Sequence, residues 1–207
     1  MIRLLLLIVL SLSGVAMASE EPKYSVESKT ENYEIRKYDS VIVAETKIDS
    51  EFEGAGSQAF QILADYIFGS NKSKTKISMT APVSQQAASE KIAMTAPVSQ
   101  VKAGSGFLIQ FTMPRTFTLE TLPVPNDERV RIRKIPERRL AVFRYTGTWS
   151  EQRYNDKLKE FIAVLKQDGV PTAGEPVFAR YNPPFMPSFL RRNEIWLEAV
   201  GTKQTHD

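Results

Sequence analysis

The sequence contains no cysteine and a single histidine, His206, which is the second-last of its 207 residues. Without cysteine the chain can form no disulfide, thiolate metal ligand or cysteine nucleophile. One histidine near the end of the chain also gives no basis for a serine–histidine–aspartate triad or a histidine-rich zinc site. We therefore predict a protein that is not an enzyme, with no catalytic residues and no metal site of its own, stabilised by burial of a core.

The first eighteen residues have the pattern of a secretory signal peptide. Arg3 is followed by a mostly apolar run over residues 4–12, and residues 16–18 read Ala-Met-Ala, as at a cleavage site. The run is too short for a comfortable membrane span. We predict cleavage after Ala18, a periplasmic or secreted protein, and no stable membrane span after cleavage. A retained N-terminal anchor is the alternative.

Positive charge is only slightly in excess, with 27 Lys and Arg against 24 Asp and Glu. The one local concentration of basic residues, over 129–139, alternates with Val130, Ile132 and Ile135. This alternation predicts the solvent face of a strand. The small charge excess and the predicted export both argue against nucleic-acid binding, so we predict no nucleic-acid partner. Nothing in the sequence indicates an oligomeric state or identifies the physiological ligand.

The rest of the chain has the pattern of one α+β domain. We predict a polar arm over residues 19–31, a folded domain over 32–201 and a polar tail over 202–207. Within the domain, the alternating segment 33–37 and the β-branched segment 41–48 predict two strands joined as a hairpin. Further strands are predicted at 107–113, about 176–181 and 194–200, and the proline-rich segment 115–128 is predicted to be a loop.

An amphipathic helix is predicted after the second strand. Ser50 and Glu53 have the spacing of a capping box, and Gly69 marks the end of the helix. Its apolar stripe consists of Phe52, Gly56, Ala59, Phe60, Leu63 and Ile67. Glycines in its first turns weaken the helix, which suggests either close approach of another group to the backbone or a plain packing reason.

The same order of elements recurs about 97 residues later. Residues 132–134 repeat the Ile-Arg-Lys of 35–37, and Ser150 precedes a second amphipathic helix. We infer two strand-strand-helix-strand-strand halves, over about 32–114 and 128–201, that share one core and curl towards a barrel. Chance similarity between two amphipathic units is the alternative.

One phrase, Lys-Ile-x-Met-Thr-Ala-Pro-Val-Ser-Gln, occurs twice, at residues 76–85 and 91–100. Its apolar residues alternate as in a strand, and its proline predicts that the strand ends or reaches an edge there. The five intervening residues permit an antiparallel hairpin, which places Met79 near Met94. Methionine suits either an irregular core or the face of a flat aromatic ligand, and the pattern leaves both open.

Several stretches taken together resemble the SOUL heme-binding family. They are Tyr66-Ile67-Phe68-Gly69-Ser70-Asn71 with the repeated phrase, Phe111-Thr112-Met113-Pro114, Leu122-Pro123-Val124-Pro125-Asn126-Asp127, Tyr181-Asn182-Pro183-Pro184, and Arg191-Arg192-Asn193-Glu194-Ile195-Trp196. They occur in order over about residues 24–200. The resemblance implies a distorted eight-stranded antiparallel β-barrel with two helices. It also implies that heme or a related tetrapyrrole binds in an apolar cleft beside the first helix.

This resemblance and the residue types together suggest a set of ligand-binding candidates. They are Phe60, Ala64, Phe68, Met79, Met94, Arg180, Tyr181, Phe185 and Arg191. Asp65 stands where relatives have a lysine on the helix, and no internal histidine is available as an axial ligand. We therefore expect non-covalent binding of heme or porphyrin by apolar contact, without histidine ligation.

The arginines and the C-terminal loop each allow two interpretations. Arg180, Arg191 and Arg192 can contact propionates, because a guanidinium matches a carboxylate with two donors. Alternatively, Arg191 and Arg192 pair with Glu194 or cap nearby carbonyls. The proline-rich loop that carries Phe185 is either the rim of a pocket or a lid packed on the barrel.

Two other functions remain open at this point. A small-molecule hydrolase on a related barrel requires a desolvated carboxylate paired with a tyrosine, and Glu34, Glu45 and Glu194 are candidates by residue type alone. A candidate buried without an arginine partner favours that function. An envelope interaction protein with a vestigial pocket is the other possibility, and the lack of a cleft beside the first helix favours it.

Overall fold

The computed structural model describes residues 19–74 and 89–201, which form an α+β fold. A large, curled antiparallel sheet carries two helices. The predicted signal peptide, the predicted tail and the first copy of the repeated phrase, with Met79, lie outside the described ranges. Within those ranges, no helix has both the length and the apolar character needed to cross a membrane.

The main sheet has nine strands, where eight were expected. The strands of the chain are β1 (Tyr24–Lys29), β2 (Glu34–Tyr38), β3 (Val41–Ile48), β4 (Asn71–Lys72), β5 (Val98–Ala103), β6 (Gly106–Thr112), β7 (Val124–Pro125), β8 (Arg131–Ile135), β9 (Arg138–Thr146), β10 (Thr172–Arg180) and β11 (Arg192–Ala199). The helices are α1 (Phe52–Ile67) and α2 (Glu151–Gln167), and a short 3-10 helix spans Ser188–Leu190. The order of the sheet is β1-β2-β9-β11-β10-β5-β6-β3-β8, and β4 pairs separately with β7.

The predicted hairpin between β2 and β3 is wrong. β2 pairs with β9, where Glu34 lies opposite Val142, and β3 pairs with β8, where Val41 lies opposite Ile135. Only Asp39 and Ser40 separate β2 from β3, and this pair lacks the glycine that a tight two-residue hairpin turn favours. The chain therefore passes from one part of the sheet to the other. Apart from β1, the strand order is symmetric about the β10–β5 boundary, and the duplication itself stays a prediction.

The extra strand, β1, lies inside the segment predicted to be a polar arm. It is an exposed edge strand that pairs with β2. Its Tyr24 ring packs 4.9 Å from the ring of Tyr38 and 4.4 Å below the guanidinium of Arg36. An aromatic anchor, a ladder of backbone bonds and the ion pairs of Glu27 with Arg139 and of Lys29 with Glu34 therefore hold a segment that has little apolar character.

The two helices begin in different ways. Ser150 caps α2 as predicted, by accepting a hydrogen bond from the backbone N–H of Arg153. The capping box predicted for α1 is wrong, because the helix begins at Phe52, and the hydroxyl of Ser50 instead accepts a bond from the side chain of Gln58. Phe52 is fixed by its packing, with ring centroids 5.0 Å from Tyr154 and 5.6 Å from Phe178. Tertiary contacts therefore decide where α1 starts.

The second copy of the repeated phrase also differs from its prediction. Residues 91–97 form no strand, and β5 begins at Val98, directly after Pro97, because proline has no N–H to donate to a ladder. Both edges of this first part of β5 are occupied, one by β6 and the other by β10. The predicted pairing with the first copy is therefore not made by this strand. The Ala96–Pro97 peptide bond is cis.

Two apolar clusters fill the space between the sheet and the helices. The cluster under α1 includes Ala44, Ile48, Leu63, Tyr66, Ile67, Ile92, Ile109, Phe111 and Met113. The cluster under α2 includes Ile35, Phe143, Tyr145, Tyr154, Phe161, Leu165, Phe178 and Ile195. A smaller cluster of Tyr38, Leu140, Val142, Ala179 and Trp196 lies on the opposite face of the sheet. One face of the sheet is covered by the helices and the other carries the smaller cluster. The candidate site residues are distributed over both faces.

Candidate functional site

The outer surface of α1 carries exposed apolar side chains. Phe60 is 37% exposed and Phe68, directly after the helix, is 58% exposed. A four-residue spacing places them, with Ala64 between, along one side of the helix. Ala64 itself is buried, so it contributes little of the exposed surface that the sequence predicted.

Met94 belongs to the same region as Phe60. The ring of Phe60 lies 5.5 Å from that of Phe111, near the end of β6. The hydroxyl of Thr95, the neighbour of Met94, donates to the carbonyl of Thr112 at that same end. Met94 is 39% exposed. We refer to the side chains of Phe60, Phe68 and Met94 as the α1 surface.

The motif Tyr66 to Asn71 has a structural role beneath this surface. The buried amide of Asn71 donates to the carbonyls of Tyr66 and Glu90, at 2.7 and 2.8 Å, and accepts a bond from the backbone N–H of Glu90 at 3.0 Å. The hydroxyl of Tyr66 donates to the carbonyl of Pro123 at 2.9 Å, and burial raises its pKa. These bonds hold the segment that leads to Met94 against the end of α1.

Three C-terminal residues, Tyr181, Arg191 and Arg192, are held by contacts of their own, whereas Arg180 lies against α1 at Gly56. Tyr181 packs with the Trp196 cluster on the opposite face of the sheet, and its hydroxyl donates to Glu194 at 2.8 Å. Arg191 donates to the carbonyls of Pro184 and Met186, and Arg192 pairs with Glu194 at 2.8 Å. The interpretation of Arg191 and Arg192 as capping and pairing residues is the one that these contacts support.

Phe185 lies on the loop that Arg191 holds. Its side chain is 85% exposed, and that of Phe189 in the same loop is 72% exposed. A lid packed on the sheet requires these rings to be buried, so their exposure does not support the lid interpretation, and the rim interpretation stays a prediction.

The carboxylate proposed as a catalytic candidate, Glu194, is fully buried and fully paired. It accepts bonds from Arg36, Arg192, Tyr181 and the indole N–H of Trp196, at 2.8 to 3.2 Å. Burial alone favours its neutral form, but the two guanidiniums outweigh burial and hold the pKa of Glu194 below its usual value. This is an internal ion cluster with no free acceptor face.

The other two carboxylates are paired as well. Glu45 lies 2.9 Å from Arg133, and Glu34 lies 2.7 Å from Arg36. The condition that favoured a hydrolase, a buried carboxylate without an arginine partner, is therefore not met at any of these three positions. In the part of the chain that the structure describes, no cluster of three or more His, Cys, Asp or Glu side chains is placed to hold a metal ion.

Sequence reasoning missed one surface groove, of about 440 Å³, beside the loop after β6. It is lined by Met113, Pro114, Phe117 and Leu119 on one side and by Val41, Ile42 and Lys134 on the other. This loop is polar and rich in proline in the sequence, and only the fold brings its apolar residues against the sheet. The groove is a second place where a small molecule can be accommodated.

The fold and the α1 surface define a class of α+β domain, in which a curled antiparallel sheet carries two helices and the first helix presents apolar side chains to solvent. The profile of the family described as "SOUL heme-binding protein" matches residues 19–198. The chain belongs to this family.

Similar proteins are consistent with this assignment. Human heme-binding protein 2 is 29% identical over 174 residues, covering 80% of this chain and 77% of the human protein. Mouse heme-binding protein 2 is 28% identical over 192 residues, covering 89% and 86%. Among solved structures, the C-terminal domain of EcmrR has a TM-score of 0.59 at 10% identity and covers 86% of this chain and 99% of that domain. A hydrolase from Listeria innocua has a TM-score of 0.53 at 11% identity, covering 84% and 94%. These two structures show a shared fold only.

Proposed function

We propose that the protein binds heme or a related flat tetrapyrrole non-covalently on the α1 surface. The observation that carries the proposal is the exposure of Phe60 on α1, of Phe68 directly after it and of Met94 on a neighbouring segment, in a member of a heme-binding family. Burying about 300 Å² of apolar surface provides roughly 7.5 kcal/mol at about 25 cal/mol per Å², before the costs of association are subtracted. Such binding is reversible and does not depend on coordination of iron.

The side chains present fit the macrocycle better than a histidine-ligated iron. The α1 surface offers two aromatic rings and a polarizable thioether, which suit the face of a porphyrin. The described residues contain no histidine, and the single histidine of the sequence is His206. The sulfur of Met94 is the one soft potential ligand on the α1 surface. We therefore infer binding by apolar contact, with the thioether as the only candidate for contact with iron there.

The main test is the substitution Phe60→Glu, which places a carboxylate in the middle of the α1 surface. We expect the affinity for hemin to fall at least tenfold, because hemin must then desolvate the new carboxylate where it covers the aromatic ring of Phe60 in the wild type. Hemin is titrated into the purified protein, and both the Soret band and tryptophan quenching are followed.

The matched control is Ile162→Glu, which makes the same kind of change at a 48% exposed apolar residue on α2. Hemin affinity should be unchanged in this variant. Equal affinities for wild type and Phe60→Glu contradict the assignment of the surface. The absence of any saturable Soret change in wild type contradicts the proposed function and favours a protein with a vestigial pocket.

We also propose that the protein is exported to the periplasm or beyond, on the evidence of residues 1–18 alone. When the full chain is expressed with its own N-terminus, we expect the mature protein to begin at Ser19. Intact mass and N-terminal sequencing of the periplasmic fraction measure this directly. Recovery of the uncleaved chain in the membrane fraction is the result expected for a retained anchor.

A further inference from the structure

The guanidinium of Arg180 lacks a counter-charge in the part of the chain that the structure describes. Its side chain makes one hydrogen bond, from Nη2 to the amide oxygen of Gln100 at 3.3 Å, and its buried Nε has no partner. Asp207 is the sole acidic residue outside the described ranges. Burial without a nearby carboxylate lowers the pKa of Arg180 to about 10. A desolvated cation of this kind is costly for the fold, so a compensating anion from outside the chain is expected.

Fixed neighbours hold this guanidinium in place. Gln100, which receives its bond, is buried and donates its own amide to the carbonyl of Phe52 at 2.9 Å. The ring of Trp149 lies 5.5 Å from the guanidinium carbon, and its indole N–H is bound to Asn193 at 2.9 Å. Neither Gln100 nor Trp149 supplies negative charge. They orient Arg180 without neutralising it, as in a preorganised binding site.

Gly56 allows the guanidinium to lie directly against the backbone of α1. A Cβ atom at this position would be 2.4 Å from Nη1 and 2.7 Å from Nη2 of Arg180. Glycine within a helix costs about 1 kcal/mol relative to alanine. The close approach of Arg180 is the physical reason for glycine here, and it selects between the two explanations that the sequence left open.

A second unpaired donor lies close to the first. The hydroxyl of Tyr145 is buried without a hydrogen-bond partner, and Tyr145 is the neighbour that acts electrostatically on Arg180. Arg180 itself keeps partial exposure to solvent. Tyr145 therefore adds a second unpaired polar atom near Arg180 without adding a negative charge.

We propose that Arg180 binds the carboxylate of a small amphipathic acid that enters between α1 and the turn around Trp149. A carboxylate matches the two-pronged donor set of a guanidinium. The carboxylate has two possible sources. It belongs either to a free aromatic or aliphatic acid, or to a propionate of the tetrapyrrole on the α1 surface, since Phe60 lies one helical turn, roughly 6 Å, beyond Gly56. The second source rests on the proposed function, and the first does not.

The key variant is Arg180→Met, compared with Arg144→Met as the control. Arg144 is exposed on β9 and lies on the same face of the sheet as Leu140 and Val142, which is the face opposite to the helices. The probe for a free acid is 1-naphthoate, followed by tryptophan fluorescence. We expect Arg180→Met to weaken naphthoate or hemin at least about 30-fold, since it removes a desolvated charge partner. We expect Arg144→Met to leave both affinities unchanged.

Thermal unfolding separates this role from a structural one. Because Arg180→Met removes a partly buried charge that has no counter-charge among the described residues, its Tm should equal or exceed that of wild type. Gly56→Ala keeps the charge but displaces the guanidinium, and it should weaken the same ligand without lowering helix stability. A lower Tm for Arg180→Met together with unchanged binding in Gly56→Ala identifies a structural arginine and overturns the proposal.

Hemin and its dimethyl ester distinguish the two sources. If Arg180→Met weakens hemin but not the ester, the carboxylate is a propionate. If only naphthoate responds, the site takes a free acid. Arg180-dependent naphthoate binding in a wild-type protein that binds no tetrapyrrole refutes the proposed function and supports this inference. Unchanged affinity of Arg180→Met for both naphthoate and hemin, or equal weakening of hemin and its ester, overturns it.

Discussion

Replacing Glu194 by glutamine is expected to lower the free energy of unfolding by about 3–5 kcal/mol. The carboxylate is 0% exposed and is the shared partner of Arg36 and Arg192. An amide keeps the shape of the side chain but leaves both guanidiniums without that counter-charge. Urea denaturation measures the loss, and the midpoint of thermal unfolding should fall by about 10 °C.

The same substitution has a defined pH dependence. The folded-state pKa of Glu194 lies below its usual value near 4.5, because Arg192 and Arg36 outweigh the effect of burial. Its contribution is therefore fully present above about pH 5 and is lost as the pH falls through the lowered folded-state value. The stability difference between wild type and Glu194→Gln should be constant from pH 6 to 8 and should shrink below pH 4.

The matched control is Glu198→Gln, which removes the same charge from an exposed position on the same strand, β11. Its stability should stay within about 0.5 kcal/mol of wild type. If Glu194→Gln behaves like this control, the ion cluster does not stabilise the fold. The hydrolase interpretation predicts a different result, in which the substitution abolishes an activity and leaves stability unchanged.

The local elements of this fold follow from local sequence, while the pairing of the strands does not. Apolar periodicity identified both helices, and Ser150 and Gly69 marked helix ends that the structure confirms. The strand that pairs with β2 cannot be predicted from local sequence, because its alternating residues pack equally well beside β3 or β9. Only the core that all strands share selects β9, and that selection depends on residues about a hundred positions away.

The pleat of the sheet places the candidate site residues on opposite faces. Arg180 and Tyr181 are adjacent in sequence and were grouped together, yet neighbouring residues of an extended chain point to opposite faces. Arg180 lies towards α1 and Trp149, whereas Tyr181 bonds to Glu194 on the other face. The motif therefore grouped as one set residues that the structure places on opposite faces of the sheet, and their role in binding stays a prediction.

The sequence also does not predict that Arg180 lacks a counter-charge. Its neighbours Gln100, Trp149 and Gly56 come from three separate segments of the chain. A count of charges shows 24 acidic residues, enough to pair almost any arginine. Only the three-dimensional arrangement shows that none of the described ones reaches this guanidinium. Gly56 was the single local signal, because a glycine inside a helix requires a reason.

Replacing Asn71 by alanine is expected to destabilise the protein by about 3 kcal/mol without changing its affinity for hemin. The substitution leaves the carbonyls of Tyr66 and Glu90 and the N–H of Glu90 without the bonds of the Asn71 side chain, in a site where Asn71 is 3% exposed. Each buried group that loses its partner costs about 1–3 kcal/mol, with partial relief from water. Asn32→Ala, at an exposed position, should remain within about 0.5 kcal/mol of wild type.

This prediction separates two explanations of the motif by which the family is recognised. If Asn71 acts by holding the segment that leads to Met94, hemin affinity measured well below the unfolding transition stays within about twofold of wild type. A tenfold loss of affinity in a folded Asn71→Ala protein shows instead that the motif itself positions the ligand. The structure favours the first result, because the amide of Asn71 is fully used by backbone groups and none of its donors faces the α1 surface. Under the proposed function, ligand selection is then expected to depend on Phe60 and its exposed neighbours rather than on the motif.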